Sequence, residues 1–295
     1  AATLTDTGVT VGTVVSVAMV KPDAALQGVS NGANPLLVVV PAFSVLSIEQ
    51  STPFVGAANT LTVTLTSNYD LADGSTVTIS GLTGSQTVDA TLTGVTSTSS
   101  KMGTTGTWTQ AGSLILTAAS GGPLVSGGAF EVTFSLQNKA TAQGAVTAQV
   151  QAAIVELSGV AVGSIAVVSL AVLSTEQYEV ANGYQPLLAI DPVFSVKSIR
   201  QSTPVSNSAT NTVTVTLTST THQATAGSIV TISGLAGSAT GNAPTLGLLP
   251  TSNALGGATT ADTGAWTNAG TLLLTVASGG LTKGTPYEVT FELTN

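Results

Sequence analysis

The sequence predicts an all-β protein built from two tandem β-sandwich modules, and three observations support this prediction. Short segments alternate apolar and polar residues, as in Thr60–Thr66, where three apolar side chains share one face. Val, Ile and Thr, which favour strands, are abundant, whereas charged residues make up only 7% of the 295 residues. The third observation is an internal repeat, since FSVLSIEQSTPF at 43–54 returns as FSVKSIRQSTPV at 194–205.

The internal repeat extends along most of the chain and keeps its order throughout. NGANPLLVVVPAF at 31–43 returns as NGYQPLLAIDPVF at 182–194, an offset of 151 residues. NTLTVTLTS at 59–67 returns as NTVTVTLTS at 211–219, an offset of 152 residues. Because the offset changes only by small insertions, which surface loops tolerate, we interpret the chain as one unit of roughly 150 residues written twice.

The two copies define the predicted domains. Module one spans residues 1–151 and includes a connector at 139–151, and module two spans residues 152–295. No second copy of the connector follows Asn295 in this sequence. Three explanations are open: the second connector was removed, the sequence is cut from a longer array, or the N-terminus of another copy takes its place.

Composition argues against several classes of function. The formal net charge is −8 and is divided evenly between the modules without a basic patch, so nucleic acid is not an expected partner. The absence of cysteine excludes disulfides and thiolate chemistry. The sequence contains no N-x-S/T sequon, which excludes N-linked glycans. No cofactor is expected.

Two features are candidate sites of chemistry, but the preferred interpretation of each is structural. His222, the only histidine, lies in the polar segment TSTTHQAT without the spacing of a catalytic triad, so we expect a solvated loop residue. Asn68, Asp70 and Asp73 resemble part of a calcium loop but lack the closing Glu of an EF-hand. A turn before a strand is the preferred interpretation, with calcium as the alternative. We therefore predict no enzyme and no metal site.

Each module contains one tryptophan, at Trp108 and Trp266, in matched positions. We interpret both rings as core anchors between two sheets, because a buried aromatic ring supplies much of the area of a small core. A ligand-binding role is the alternative. Seven to nine short strands can be counted in each module, roughly the number of an immunoglobulin-like sandwich.

The segments TVTISGL at 76–82, the late tryptophan and the terminal EVTF.L.N strand carry a resemblance. The chain resembles tandem immunoglobulin-like modules of large extracellular filament and surface proteins, of the charge-poor, Thr-, Gly- and Val-rich kind. The resemblance covers both modules. It implies a structural or adhesive protein at the cell surface or outside the cell, without an active site.

Extra apolar strands are predicted before each sandwich core. Val9–Val20 and Leu157–Thr175 are both apolar, and the second run holds no charged residue over its nineteen positions. Its length permits a transmembrane helix, but interrupting Gly and Ser and acidic flanks favour strands buried on both faces, which need cover from another module or chain. We therefore predict no membrane span.

The preferred function is a filament subunit that assembles head to tail with copies of itself. We expect residues 152–173 to contact module one within the chain, and residues 1–20 to make the same contact with module two of a neighbouring copy. The candidate inter-subunit residues are Val9, Val11, Val14, Val15, Val17 and Val20.

Threonines on the predicted solvent faces are candidates for O-linked glycans, because a surface with few charges needs another source of solubility. They are Thr60, Thr62, Thr64, Thr66, Thr212, Thr214, Thr216 and Thr218. Two other functions are kept as alternatives. An adhesin or carbohydrate-binding protein would need an exposed aromatic platform, and an ice-binding protein would use the threonine rows.

Overall fold

The computed structural model describes residues 18–155, 161–249 and 263–295. These residues form 18 β-strands and no helix, and the strands pair in four sheets. The predicted all-β sandwich class is therefore confirmed. The division of the chain into two modules stays a prediction, and the proposed boundary after residue 151 falls inside a strand, Gln149–Val155.

Residues 43–172 form two sheets, which we call the A–B sandwich. Sheet A has the strand order β11-β1-β2-β8-β5, and sheet B has the order β10-β9-β3-β7-β6-β4. The strands are β1 (Phe43–Gln50), β2 (Ala58–Ser67), β3 (Thr76–Ser80), β4 (Ala90–Leu92), β5 (Thr96–Ser97), β6 (Met102–Thr109), β7 (Ser113–Ala118), β8 (Ala129–Gln137), β9 (Gln149–Val155), β10 (Ala161–Ser169) and β11 (Ala171–Val172).

Residues 194–293 form two smaller sheets, which we call the C–D sandwich. Sheet C has the order β12-β13-β18, and sheet D has the order β14-β17-β16-β15. The strands are β12 (Phe194–Gln201), β13 (Asn211–Ser219), β14 (Ile229–Ile232), β15 (Ala243–Gly247), β16 (Thr263–Thr267), β17 (Thr271–Thr275) and β18 (Pro286–Leu293).

Alternation in the sequence explains which side of each strand is buried. In β2, Leu61, Val63 and Leu65 are buried, and the threonines between them are half-buried on the opposite face. β2 is central, so Val63 stands opposite Ile48 of β1 and Val132 of β8. Side chains from sheets A and B meet in one hydrophobic cluster, and a second cluster forms between sheets C and D.

The apolar run before the C–D sandwich pairs with the A–B sandwich instead. β9 and β10 extend sheet B, and β11 pairs with β1 at the edge of sheet A. The contact expected between residues 152–173 and module one is thus present. The prediction that both faces of this run are buried was wrong for β10. This strand lies at a sheet edge, and only Ile165 is fully buried among its described side chains. Residues 161–172 form strands, and no helix of the described residues is long and apolar enough to cross a membrane.

Candidate functional site at the open edges of the second sandwich

Three strands close one side of the A–B sandwich. β9 pairs antiparallel with β3, where Ile79 stands opposite Val150, and β10 pairs with β9. β11 pairs in parallel with β1, where Ile48 stands opposite Val172. Backbone groups at the edges of β1 and β3 are thereby satisfied, which is how proteins protect sheet edges.

The same strands complete the core of the A–B sandwich. Val150 and Ile154 of β9, Ile165 of β10 and Leu170 after it are all buried in the hydrophobic cluster of sheets A and B. Because of this cover, Ile48 at the edge of sheet A is only 1% exposed.

The C–D sandwich lacks this cover in the described part of the chain. β12 and β14 match β1 and β3 in sequence, and each has a neighbour on one side only. Ile199, the counterpart of Ile48, is 52% exposed. Ile232 is half-buried, whereas its counterpart Ile79 is fully buried. The two repeats therefore differ at this side: the strand edges are covered in the A–B sandwich and open in the C–D sandwich.

A cleft of about 470 Å³ lies between these two open edges, and we call it the edge cleft. Its wall is mainly apolar. The residues that define it here are Phe194, Ile199, Val215, Leu217, Val230 and Ile232. Of these side chains, Ile199 is exposed, Phe194 and Ile232 are half-buried, and the other three are buried at the base of the cleft.

A second cavity of about 520 Å³ adjoins the edge cleft, and we call it the end cavity. Gly234 and Leu235 line both. Its polar wall is a hydrogen-bonded triad in which the Asn211 side-chain amide donates to Gln201 Oε1 (3.0 Å) and Asn295 Oδ1 (2.6 Å).

The A–B sandwich contains the same triad in a buried form. The Asn59 amide donates to Gln50 Oε1 and Asn138 Oδ1, both at 2.8 Å. The Gln50 amide in turn donates to the carbonyl oxygens of Gly183 (2.9 Å) and Leu188 (3.0 Å), which belong to the segment between the two sandwiches. Gln50 is 2% exposed, whereas its counterpart Gln201 is exposed.

The valines chosen as inter-subunit candidates fall mostly outside the described residues. Val9, Val11, Val14, Val15 and Val17 lie in the first 17 residues, and only Val20 is described, as an exposed residue. The offset of 151 pairs Val14 with the buried Ile165 and Val17 with the partly buried Val168. Val15 and Val20 match the exposed Ala166 and Ala171.

Sequence reasoning missed one residue of this set. Met19 matches Leu170, which is buried in the A–B cluster, whereas Met19 itself is exposed. A register shift between Ile165 and Val168 breaks the strict alternation of β10, so a simple period of two does not identify the inward positions.

Both tryptophans are buried, at the positions expected of core anchors. The Trp108 Nε1–H donates to the carbonyl oxygen of Thr87 (2.9 Å), and the Trp266 Nε1–H donates to that of Thr240 (3.2 Å). Each ring is 1% exposed. Neither is accessible as an aromatic platform for a sugar.

The threonine rows are less exposed than expected. Thr66, Thr214 and Thr218 are buried. Their prediction as glycan sites was wrong, because a glycan cannot be accommodated there in the folded chain. Central strands are covered by neighbours on both sides, which alternation alone does not reveal. The half-buried candidates stay predictions; they are Thr60, Thr62, Thr64, Thr212 and Thr216.

His222 lies in a loop, as expected, but its side chain is half-buried rather than fully solvated. The imidazole lies edge-on against the ring of Phe54, with 4.9 Å between the ring centroids, and His222 Nδ1 is 3.2 Å from Thr221 Oγ1. Burial lowers the pKa of His222, because the charged imidazolium loses water. The residue therefore contributes to the contact between the two sandwiches.

We expect acid to weaken this contact. The unfolded chain takes up a proton near the ordinary His pKa of about 6.5, before the folded chain does, so stability is lost as the pH falls through the lowered folded-state pKa. Urea unfolding near neutral pH and at mildly acidic pH measures the loss. The His222→Gln variant should lose less stability over the same interval, and an equal loss in both proteins would contradict the assignment.

The calcium-like residues stabilise loops. Asp70 Oδ1 accepts from the backbone N–H of Ser126 (2.7 Å), and Asp73 Oδ2 accepts from that of Gly121 (3.0 Å). Asn68 Oδ1 accepts from the N–H of Ala42 (2.7 Å). In the part of the chain that the structure describes, no group of three or more His, Cys, Asp or Glu side chains is placed to hold a metal ion.

Comparisons with known proteins add no family to this geometry. The sequence matches no protein-family model and no curated protein. The repeat and the difference between the two sandwiches are therefore the features that bear on function.

Proposed function

We propose that the protein is a structural subunit of an extracellular filament and that it assembles head to tail by donating its N-terminal strand segment to the next copy. The single observation that carries the proposal is the edge cleft. The side of the C–D sandwich that is open corresponds to the side of the A–B sandwich that β9, β10 and β11 cover.

The repeat identifies the donor. Residues 1–20 match residues 152–171, which contain most of β9, all of β10 and the start of β11. Within the chain those residues fill the side of the A–B sandwich. A neighbouring copy offers residues 1–20 for the side of the C–D sandwich, with Val14, Val17 and Met19 toward the cleft.

The expected energies support such a contact. Burial of Val- and Met-sized side chains contributes roughly 1.5–3 kcal/mol each, so three of them contribute about 5–9 kcal/mol. The cost of association is of similar size, about 4–15 kcal/mol. Backbone hydrogen bonds along β12 and β14 then add specificity and further stability.

The arrangement favours an open polymer. The donor lies in residues 1–20 and the acceptor lies in residues 194–235, so one copy uses different surfaces toward its two neighbours. A heterologous contact that does not close into a ring generates a fibre. We place the filament outside the cell because of the resemblance to extracellular filament proteins, and O-linked glycans on half-buried threonines belong to the same proposal.

Deletion of residues 1–20 tests the proposal. The full chain is expected to form filaments in negative-stain electron microscopy, whereas the deletion variant is expected to stay monomeric in analytical ultracentrifugation. Circular dichroism of the variant should retain the strand signal, because the A–B and C–D clusters consist of residues after position 42. Filaments of unchanged width and repeat from the deletion variant would refute strand donation.

A further inference from the structure

A segment between the two sandwiches holds them together. We call residues 176–190 the junction segment. Toward the A–B sandwich, the Gln50 N–H donates to the carbonyl oxygen of Tyr184 (3.1 Å), and the Ile190 N–H donates to that of Pro53 (2.8 Å). An isolated parallel bridge joins Phe54 and Ile190.

The opposite side of the junction segment contacts the C–D sandwich. The Gln223 N–H donates to the carbonyl oxygen of Tyr178 (2.8 Å). The Lys283 N–H donates to Glu179 Oε2 (2.6 Å), and Lys283 Nζ donates to the Glu179 carbonyl oxygen (3.1 Å). The junction segment is therefore bound on both sides.

Leu187 is the apolar centre of this junction. It belongs to the A–B cluster and is 0% exposed. Its φ is +53°, which is uncommon for a residue other than glycine. The Gln143 side-chain amide donates to the Leu187 carbonyl oxygen (2.8 Å).

The same segment occurs before the A–B sandwich. We call residues 25–39 the leading segment, and the offset of 151 matches it to residues 176–190. One side is bound to the sandwich that follows it, as in the junction segment. The Asp70 N–H donates to the carbonyl oxygen of Gln27 (3.0 Å), and Gln27 matches Tyr178, which accepts from Gln223 in the junction. A Cβ on Gly28 would lie 2.4 Å from Ser126 Cβ, so this side is tightly packed.

The other side of the leading segment faces solvent. Leu36, the counterpart of Leu187, is 98% exposed, and Val38 is also exposed. The φ of Leu36 is +66°, close to that of Leu187. The apolar side chain is thus presented in the backbone conformation that its counterpart adopts when docked, although nothing in the described residues covers it.

The end cavity has the composition to receive this side. Its residues include Gln201, Pro204, Asn211 and Asn295, the counterparts of Gln50, Pro53, Asn59 and Asn138. In the A–B sandwich, Gln50 and Pro53 hydrogen-bond to the junction segment. Asn59 in turn donates a hydrogen bond to Gln50. Within the described residues no acceptor is placed for the Gln201 amide, which can therefore donate to Gly32 and Leu37 of a neighbour, as Gln50 donates to Gly183 and Leu188.

We propose that the leading segment of one copy docks in the end cavity of the next copy, with Leu36 inserted as Leu187 is inserted within the chain. The partner is a second copy of this chain. The inference rests on the proposed head-to-tail assembly and adds a second contact to it, separate from residues 1–20 and the edge cleft.

An engineered disulfide tests the docking directly, because the chain has no cysteine of its own. Val39 and Val205 match Ile190 and Phe54, which form the bridge across the internal junction. The Val39→Cys, Val205→Cys double variant of the full chain is expected to give a ladder of covalent oligomers under mild oxidation. The Phe54→Cys, Ile190→Cys variant is the matched control and should give an intrachain disulfide. A Val39→Cys, Val88→Cys variant, with the second cysteine at an exposed site outside the cavity, should give no ladder.

The Leu36→Asn variant measures the contribution of the inserted side chain. Asn tolerates a positive φ, so the change removes the apolar group without adding backbone strain. We expect at least a tenfold rise in the concentration needed for assembly, with unfolding of the monomer unchanged because Leu36 is exposed.

The outcomes separate this inference from the proposed function. A ladder together with weakened assembly of Leu36→Asn supports the docking. Wild-type filaments without a ladder, formed by Leu36→Asn at the wild-type concentration, overturn the docking and leave strand donation standing. Absence of any wild-type assembly refutes both.

Discussion

Replacing one residue at matched positions of the two repeats is expected to give opposite results. Ile165→Asp should lower the free energy of unfolding of the A–B sandwich by about 4 kcal/mol or more, because it buries an unpaired charge in a packed cluster. Val14→Asp, at the matched position, should leave the unfolding of the isolated chain unchanged and abolish filaments. The reason is that the proposal places the same contact between copies rather than within one.

Two measurements check this pair. Urea unfolding reports the first effect, and sedimentation with negative-stain microscopy reports the second. Val15→Asp is the matched control, because Val15 corresponds to the exposed Ala166 and is expected to point away from the cleft. If Val14→Asp assembled as well as Val15→Asp, the assignment of Val14 to the edge cleft would be wrong.

Asn59→Leu is expected to destabilise the A–B sandwich by about 3–5 kcal/mol. The Asn59 amide donates to Gln50 and Asn138, and its Oδ1 accepts from the N–H groups of Ser51 (3.1 Å) and Thr52 (3.3 Å). Leucine has a similar size but satisfies none of these groups, and each buried polar group left without a partner costs about 1–3 kcal/mol.

The second repeat supplies the control for this change. Asn211→Leu removes the same interactions from the C–D sandwich, where Gln201 is exposed and water can replace the lost partner. We expect a smaller loss, of about 1–2 kcal/mol. Trp108 fluorescence in a Trp266→Phe background follows the A–B sandwich alone, and Trp266 in a Trp108→Phe background follows the C–D sandwich. Equal losses in the two sandwiches would contradict the role of the junction segment in burying Gln50.

Features of the candidate site that depend on neighbouring residues in the sequence could be predicted, whereas features that depend on distant parts of the chain could not. Alternation in β2 and β13 identified the strands, and the repeat identified the matched positions on which the proposed contact between copies is based. The exposed threonines were only partly identified, since Thr214 and Thr218 are buried in a strand with neighbours on both sides. The partial burial of His222 was not expected because the ring that it contacts, Phe54, lies far away in the chain.

The sequence by itself determined the fold class, the presence of two copies of one unit and the apolar character of the segments before each core. Only the tertiary structure decided that residues 161–172, which precede the C–D sandwich in the chain, complete the sheets of the A–B sandwich. Leu36 and Leu187 show the reason: both follow a proline and adopt a similar backbone, yet one is exposed and the other is fully buried. Burial is a property of the neighbours that the folded chain brings together. β9 to β11 pair only within the sheets of the A–B sandwich, and Leu187 of the junction segment is buried in the A–B cluster. Similar local sequences therefore give a buried side chain at Leu187 and an exposed one at Leu36.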